Sequence, residues 1–417
     1  MSTAAHRDSV EIKPLHATQV EATLELFDLA FGHSSTSAER ESDRVILDDA
    51  RMFGAFDGDL LVGTTVALPL EMTVPGSTLG VAGVTGVGVL PTHRRRGILS
   101  ALMRHQLADL HDSGAEPVAA LWATEPQIYP RFGYGFAARS LGVEVPRERA
   151  QLQAAPVART AEVSLRYVPP AELGALVAEV FDREVAVRPG AFRRDARWWR
   201  RASEDPPEGR DGASELRGVV AERDDEVVGY ATFRTKAQWT PNGPHGTVQV
   251  KELFAADPGS YARVLEFVLN QDLMAVTQLR NRPVDDPLLD MLADPRRASV
   301  DINDQLWVRL VDVDRALAAR RYELPVDVVI RVEDPVCPWN TGCWRLTGGR
   351  DHAHCERVQT DPDLDVAIDD LGAVYLGGRS LSRLAAAGRV HGHDPEKLAN
   401  ASLAFAWDPA PWCQEIF

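Results

Sequence analysis

The chain has 417 residues, 45% of them hydrophobic, and a formal net charge of -16 at pH 7. Its length predicts two or three domains, and its acidic balance argues against general nucleic-acid binding while remaining compatible with cationic partners. No apolar run is long enough for a membrane helix, and the N-terminal stretch MSTAAHRDSVEIKPLHATQVEATLELF lacks an apolar signal core, so we expect a cytoplasmic protein without a membrane partner.

The first part of the chain predicts an antiparallel meander followed by a helix. Two strand-like apolar runs are joined at residues 57–59, and a run rich in valine and glycine extends from Leu79 to Leu90. After Gly97 the apolar residues follow the spacing of one helical face as far as Gly114, and PVAALWA then indicates a buried strand. The sequence THRRRG therefore lies in a turn between a strand and a helix.

Three arginines in this turn indicate a phosphate-binding site. The N-terminus of a helix offers unpaired N–H groups and the positive end of the helix dipole, both suited to a diphosphate. Gly97 permits close approach, and Arg94, Arg95 and Arg96 can add charge-assisted hydrogen bonds. The alternative is a solvated arginine patch, but the preceding Val-x-Val strand and the following amphipathic helix favour the phosphate site.

The stretch VGVLPTHRRRGIL resembles the acetyl-CoA pyrophosphate loop of the GNAT acyltransferases, whose pattern is Arg/Gln-x-x-Gly-x-Gly/Ala. Leu99 stands where a second small residue is usual. The form P-T-x-R-R-R-G-x-L, followed by IYPRFGYGFA, is instead similar to the enhanced intracellular survival (Eis) acetyltransferases of actinobacteria, and the resemblance covers the whole chain. It implies acetyl-CoA as acetyl donor, held by Val87, Gly88, Val89, Arg94, Arg95, Arg96, Gly97, Ile98, Leu99, Thr124 and Glu125.

The segment from Ile128 to Phe136 offers the chemistry of acetyl transfer. Direct attack by an amine requires stabilisation of an oxyanion and a proton for the departing thiolate, and a tyrosine is protonated at neutral pH. The residues alone leave the acid role divided between Tyr129 and Tyr134, with core packing as the alternative for both. The family resemblance implies Tyr129. No cysteine occupies a nucleophile motif, which favours direct transfer.

A second copy of the same pattern follows in the middle of the chain. Residues 218–234, GVVAERDDEVVGYATFR, are similar to residues 53–69, and a strand and a helix come next in the same order. AADPGSYA replaces the arginine turn, so we expect a degenerate GNAT fold without cofactor. Between the copies, the basic and aromatic segment 188–212 predicts a surface helix that uses Trp198 or Trp199 for packing at a domain or subunit contact, in preference to a nucleic-acid site.

From about residue 303 the pattern predicts further strands, DVVIRVED, CWRLTGG, HCERVQ and DLDVAIDD, and then a helix in the second half of LGAVYLGGRSLSRLAAAGRV. This region resembles the sterol-carrier-like C-terminal domain of the Eis family, which is not a lipid carrier. The predicted fold class is α+β, with a catalytic GNAT domain at residues 1–150, a degenerate GNAT-like domain at 151–300 and a sterol-carrier-like α/β domain at 301–417.

Cysteine usage favours a reducing compartment, because four cysteines in a chain of this length do not form a disulfide framework. A cluster in the last domain could in principle bind zinc; its members are Cys337, Cys343, His352, His354 and Cys355. No C-x-x-C pair is present, so we interpret the cluster as reduced thiols and histidines among strands, and expect no metal.

The resemblance implies a catalytic role for the C-terminal carboxylate. A terminal carboxylate is usually a solvated end. In Eis-like enzymes it reaches the first active site and acts as the base, which implies this role for Phe417, although a carboxylate is a weak base without burial or a water relay. Asp28 and Glu415 are candidate carboxylates of the substrate pocket, with simple surface acids as the alternative.

The resemblance implies an acetyl-CoA-dependent N-acetyltransferase that acts on amines of cationic small molecules of the aminoglycoside type. Two alternatives stay open: N-acetylation of protein lysines or peptides, which calls for an open groove, and a non-catalytic scaffold that binds acyl-CoA. The resemblance also implies a homo-hexamer built from trimers.

Overall fold

The computed structural model describes residues 10–417, so the first nine residues, on which the expectation of no signal segment partly rests, lie outside the described part. None of the helices in that part is long and apolar enough to cross a membrane. Contacts divide the chain into two units. The first unit contains Met1–Ala137, Leu306–Trp407 and Glu415–Phe417, and the second contains Ala138–Gln305 and Asp408–Gln414.

The N-terminal part is a meander with two helices before it and one after it. Its elements are β1 (Glu11–Pro14), α1 (Val20–Phe31), α2 (Ser37–Leu47), β2 (Arg51–Asp57), β3 (Leu60–Val74), β4 (Ser77–Val89), α3 (Ile98–Ser113), β5 (Val118–Trp122) and β6 (Gly135–Phe136). Helix α3 buries the apolar face that its spacing predicts, including Leu102, Leu107 and Leu110, so the predicted strand, turn and helix are confirmed.

The middle part repeats this order of elements. It contains β7 (Arg139–Pro146), α4 (Ala154–Val157), β8 (Ser164–Val168), α5 (Pro170–Val187), α6 (Ala196–Ser203), β9 (Arg217–Arg223), β10 (Glu226–Lys236), β11 (Trp239–Thr240), β12 (Gly243–Pro244), β13 (Gly246–Ala255), α7 (Pro258–Leu269), β14 (Met274–Pro283), α8 (Leu288–Met291) and β15 (Ser299–Asp304). The predicted helix α6 is present. Trp198 is buried, and Trp199 packs edge-on against Phe181 within the second unit.

The C-terminal part comprises β16 (Leu306–Leu310), α9 (Val313–Ala319), β17 (Val326–Glu333), β18 (Gly342–Gly348), β19 (Ala353–Val358), β20 (Leu364–Ala367), α10 (Ile368–Val374), α11 (Leu381–Ala386), β21 (Val390–Gly392) and α12 (Pro395–Phe405). The prediction that DLDVAIDD is all strand is wrong, because α10 begins at Ile368. Asp369 and Asp370 lie in its first turn, where the helix dipole favours acids. LGAV, expected outside the helix, therefore belongs to α10.

Each unit has its own main sheet. The first unit has a sheet of order β1-β2-β3-β4-β5-β16-β6 and a second, smaller sheet of order β19-β18-β17-β20-β21. The second unit has the sheet β15-β7-β14-β13-β10-β9-β8 and the short pair β11-β12. Both large sheets contain one parallel pair, β4 with β5 and β13 with β14, at the place where a helix joins the two strands.

The two units divide the chain differently from the three predicted ranges. Strand β7 lies within the range predicted for the first domain, yet it pairs with β14 and β15 in the second unit. Strand β16 comes much later in the chain and pairs with β5 and β6 in the first unit. The segment around Tyr129 therefore connects two strands, β5 and β6, that both pair with a strand from the C-terminal part.

Candidate active site

A cleft opens in the first unit because two parallel strands pair over only a short distance. Residues 81–83 of β4 pair with residues 118–120 of β5, and no pairing follows beyond Gly83. The register of β3 against β4 shifts between Thr64 and Val66, and Gly86 adopts a left-handed φ of +55° at this bulge. The later N–H and C=O groups of β4 are therefore not bonded to β5.

A cavity of about 470 Å³ lies at this cleft. Four parts of the first unit line it: the end of α1, the end of β4, the arginine turn with the start of α3, and the segment after β5. The described lining residues are Ala30, Phe31, Val87, Gly88, Val89, His93, Arg94, Arg95, Gly97, Ile98, Leu99, Ser100, Thr124, Glu125, Ile128, Tyr129 and Arg131. All the predicted cofactor-binding residues except Arg96 are among them.

The three arginines of the turn have different surroundings. Nη2 of Arg94 donates to the carbonyl oxygen of Ala30 at 2.7 Å, which fixes this side chain beside the cavity. Arg95 lines the cavity from a left-handed φ of +63°. Nη1 of Arg96 instead donates to Asp57 at 3.0 Å. The structure therefore brings two of the three predicted guanidinium groups to the cavity.

The start of α3 can accept an anion. Gly97 has a φ of +83°, and a Cβ atom there would meet no other atom within 4 Å, so this face of the turn is open. No side chain caps the helix, which leaves its first N–H groups for a ligand or water. Together with Arg94 and Arg95, these groups fit the diphosphate of a coenzyme A thioester.

The matching helix start in the second unit is already occupied by protein groups. The carboxylate of Asp257 accepts from the N–H groups of Gly259 and Ser260, and Arg223 pairs with it at 3.1 Å. The cavity beside this helix has about 310 Å³, and its buried Arg282 is paired with Asp286 at 2.7 Å. This helix start therefore lacks the open N–H groups that α3 offers.

The two tyrosines differ in access. Tyr129 lines the cavity and is 8% exposed, whereas Tyr134 is fully buried and packs edge-on against it with ring centroids 6.0 Å apart. Burial, and secondarily the nearby Glu125, raises the pKa of Tyr129, so its hydroxyl keeps its proton at neutral pH. Burial raises the pKa of Tyr134 as well. Of the two hydroxyls, that of Tyr129 is placed to donate a proton to a ligand.

The C-terminal residue lies against the first sheet. A Cβ atom on Gly83 would be 3.3 Å from Cε2 of Phe417, so the Phe417 ring contacts β4 at the point where its pairing with β5 ends. Neither Phe417 nor the half-buried Glu415 is among the described residues that line the cavity. The structure thus brings the end of the chain to the cleft strand.

Asp28 is engaged in interactions between α1 and α2. Its carboxylate accepts from the hydroxyl of Ser35 at 2.6 Å and from Nη2 of Arg40 at 2.6 Å. Burial alone would raise the pKa of Asp28, but these hydrogen bonds outweigh it and hold the pKa below its ordinary value. Asp28 does not line the cavity, so its role toward a substrate stays a prediction.

Among residues 10–417, no group of three or more His, Cys, Asp or Glu side chains is arranged to hold a metal ion. Burial raises the pKa of the Cys337 thiol to about 11 and that of the Cys355 thiol to about 12. Both thiols therefore stay protonated at neutral pH, which disfavours them as nucleophiles.

Six residues that line the cavity are not among the predicted site residues: Ala30, Phe31, His93, Ser100, Ile128 and Arg131. His93, Ser100, Ile128 and Arg131 lie in or beside the two motifs, so the motifs could have indicated them. Ala30 and Phe31 carry no such signal, because they end an ordinary amphipathic helix. Their position at the cavity depends on the packing of α1 near the end of β4.

Comparison with known families agrees with this architecture. A family model described as Acetyltransferase (GNAT) domain matches residues 11–137, and another of the same description matches residues 190–316. A model described as Sterol carrier protein domain matches residues 313–414. The predicted fold class, tandem GNAT folds followed by a sterol-carrier-like domain, is confirmed. A GNAT fold implies acetyl-CoA as the acyl donor.

Whole-chain relatives give the family. An uncharacterised N-acetyltransferase of Streptomyces avermitilis is 46% identical over 387 residues, which cover 93% of this chain and 94% of that protein. The N-acetyltransferase Eis of Mycobacterium tuberculosis is 32% identical over 361 residues, 85% of each chain. The crystal structure of Eis1 from Mycobacterium abscessus matches with a TM-score of 0.81 and 34% identity, covering 98% of this chain and 100% of that one. The chain belongs to the Eis family of GNAT N-acetyltransferases.

Proposed function

We propose that this acetyltransferase transfers the acetyl group of acetyl-CoA directly to an amine of a cationic small molecule, of the aminoglycoside type. The observation that carries the proposal is one cavity lined both by an uncapped helix start with Arg94 and Arg95 and by the protonated Tyr129. The first set suits a diphosphate, and the second suits a thiolate that must be protonated.

In the proposed reaction, the N–H groups at the start of α3 and the guanidinium groups of Arg94 and Arg95 hold the diphosphate. The part of β4 that is not bonded to β5, at Val87 and Val89, runs beside the pantetheine arm and acetyl group. Its backbone N–H groups are available to stabilise an oxyanion on the carbonyl. Thr124 and Glu125 complete the wall of the cavity.

Tyr129 is the proposed acid. The amine nitrogen attacks the carbonyl carbon, a C–N bond forms, and the C–S bond breaks. The departing thiolate takes the phenolic proton of Tyr129, while the attacking nitrogen loses a proton to a base. The place of Tyr129 in the cavity wall supports this assignment, and its pKa, which burial raises above the ordinary value of about 10, leaves the hydroxyl protonated throughout the neutral pH range.

The terminal carboxylate of Phe417 is the proposed base. Contact between the Phe417 ring and β4 supports it, since an anchored ring restricts where the carboxylate can lie. A carboxylate has an ordinary pKa of about 3.5, so the proton transfer depends on burial or on a water molecule between the two groups.

A one-glycine extension after Phe417 tests this role, because it moves the carboxylate by a residue and leaves a neutral amide in its place. We expect turnover to be abolished while acetyl-CoA still binds with unchanged affinity. The matched control is the same glycine added at the N-terminus, which should be without effect. Equal turnover by the two extended proteins refutes Phe417 as the base.

The substrate class is supported by charge. With 61 acidic and 45 basic residues, the chain attracts polycations over a distance. Asp28 adds little to this attraction because Arg40 already neutralises it. Acetylation of protein lysines is the alternative enzyme function, and a non-catalytic acyl-CoA scaffold is the alternative outside catalysis. Turnover of lysine peptides but not of aminoglycosides favours the first, and acetyl-CoA binding without any turnover favours the second.

We also propose a homo-hexamer, on the family resemblance alone. Light scattering of the purified protein tests this assembly directly, and the mass of a monomer would contradict the hexamer.

A further inference from the structure

A fully buried ion pair lies in the first unit near the tyrosine segment. Nη2 of Arg309, on β16, donates to Oδ2 of Asp334, just after β17, at 2.6 Å, and neither side chain has any exposed surface. The other oxygen of Asp334 accepts from the N–H groups of Val336 and Cys337 at 3.1 and 2.9 Å. The C-terminal part of the chain therefore fixes this carboxylate, and the carboxylate fixes Arg309.

The guanidinium of Arg309 lies against the turn that follows Tyr129. A Cβ atom on Gly133 would be 2.8 Å from Cζ of Arg309, so only a glycine leaves room for the guanidinium there. Gly133 also has a left-handed φ of +83°. The same turn holds the backbone of Tyr129, since its carbonyl oxygen accepts from the N–H groups of Phe132 at 2.9 Å and Tyr134 at 3.3 Å.

Stability is a weak explanation for this arrangement. Burying an ion pair costs desolvation free energy that a well-packed apolar pair would avoid. Beyond Asp334, the guanidinium of Arg309 acts on the buried Cys337 thiol and Tyr134 hydroxyl, and its charge opposes the rise in the pKa of both. These are weak partners for a fully buried charge, so stability alone does not account for Arg309 at this place.

We propose that Arg309 is a positioning residue for Tyr129, held in place by Asp334. Its planar guanidinium supports the Gly133 turn, and the turn sets the position of the Tyr129 ring at the cavity. Asp334 lies in the part of the chain that matches the sterol-carrier model, so that part then helps to position the catalytic acid through Arg309. This inference rests on the proposed function, in which Tyr129 donates a proton.

The test uses a double variant, Arg309→Met with Asp334→Asn, in the full-length protein. Methionine removes the charge and the planar group, and asparagine keeps an oxygen for the N–H groups of Val336 and Cys337. The matched control is Arg282→Met with Asp286→Asn, which removes the comparably buried pair of the second unit.

We expect kcat of the Arg309 variant to fall by at least about tenfold, because misplacing a reacting group by a fraction of an ångström has effects of this order. The Kd for acetyl-CoA should stay within about twofold, since no group that lines the cavity is changed. The control variant should keep the kcat of the wild type. A kcat within about twofold of wild type in the Arg309 variant overturns the inference.

A second readout does not depend on turnover. In protein labelled with tyrosine carrying ¹³C at Cζ, with the Tyr129 signal assigned from Tyr129→Phe, the Arg309 variant should shift that signal and the control should not. An unchanged Tyr129 signal overturns the inference, whether or not the wild type acetylates an amine. Absence of acetylation by the wild type would overturn the proposed function separately. If the double variant fails to fold, Arg309→Lys keeps the charge without the planar support and is judged by the same two readouts.

Discussion

The two neighbouring tyrosines allow a direct test, because removal of the hydroxyl group should lower kcat at Tyr129 but should raise the free energy of unfolding at Tyr134. Tyr129→Phe and Tyr134→Phe each remove one hydroxyl group and keep the ring. Tyr129 lines the cavity, whereas the hydroxyl of Tyr134 is buried and has no hydrogen-bond partner among the described residues. Ring packing between the two, at 6.0 Å, is kept in both variants.

The expected magnitudes follow from these surroundings. Loss of a general acid lowers the rate by about 10²- to 10⁴-fold, or roughly 3–5 kcal/mol of transition-state free energy, so Tyr129→Phe should lower kcat by this factor. A buried hydroxyl without a partner costs about 1–3 kcal/mol, so Tyr134→Phe should raise the free energy of unfolding by up to this amount. It should leave kcat unchanged.

The assay is release of CoA thiol from acetyl-CoA in the presence of the best amine substrate, with acetyl-CoA affinity from calorimetry and stability from urea unfolding. Because the pKa of Tyr129 is raised, its proton is retained, and the wild-type kcat should not decline between pH 7 and 9 through this group. A Tyr129→Phe variant that keeps about a third or more of wild-type kcat refutes the acid role. Equal losses of kcat in both variants would show that the Tyr129 hydroxyl has no greater role in turnover than the Tyr134 hydroxyl.

Three further predictions follow from backbone geometry and burial. Arg95→Gly suits the left-handed φ of +63° and should weaken acetyl-CoA binding by about tenfold and reduce its salt dependence, whereas Arg96→Ala should do neither. Calorimetry at two salt concentrations measures both effects, and equal effects of the two variants contradict the assignment of Arg95 to the cavity. Gly86→Ala combines a φ of +55° with overlap of the new Cβ atom and the ring of Phe27, so urea unfolding should show a loss of about 1–3 kcal/mol, and unchanged stability contradicts this. Burial is the main cause that raises the pKa of Asp370 to about 6, so the stability it contributes is present below the unfolded pKa of about 4 and is lost as pH rises through 6. Relative to Asp370→Asn, the free energy of unfolding of the wild type should fall by up to roughly 3 kcal/mol between pH 4 and pH 7, and parallel pH profiles contradict it.

Local sequence pattern predicts much of the fold and the loop that binds the cofactor. The apolar spacing after Gly97 marks helix α3, and the arginines before it mark the turn at the cavity, because helix periodicity and loop charge are local properties. The repeat of the first pattern between residues 218 and 269 likewise predicts the second GNAT fold.

Pairing over long sequence distances could not be predicted in the same way. The order of residues along the chain does not specify which strands pair, so the pairing of β7 with β14 and of β16 with β5 could not be predicted. The sequence shows an acid at Asp28 but does not show that Ser35 and Arg40 satisfy it. Arg309 and Asp334 form no motif, and only the fold brings them together behind the tyrosine turn.

Acetyl transfer to a cationic small molecule is tested by CoA thiol release from acetyl-CoA with untagged protein, measured across aminoglycosides, simple polyamines and lysine peptides, with mass spectrometry of the acceptor. We expect thiol release with a cationic small molecule and a matching gain of one acetyl group per thiol on its amines. Acetyl-CoA binding without thiol release on any of these amines would contradict it.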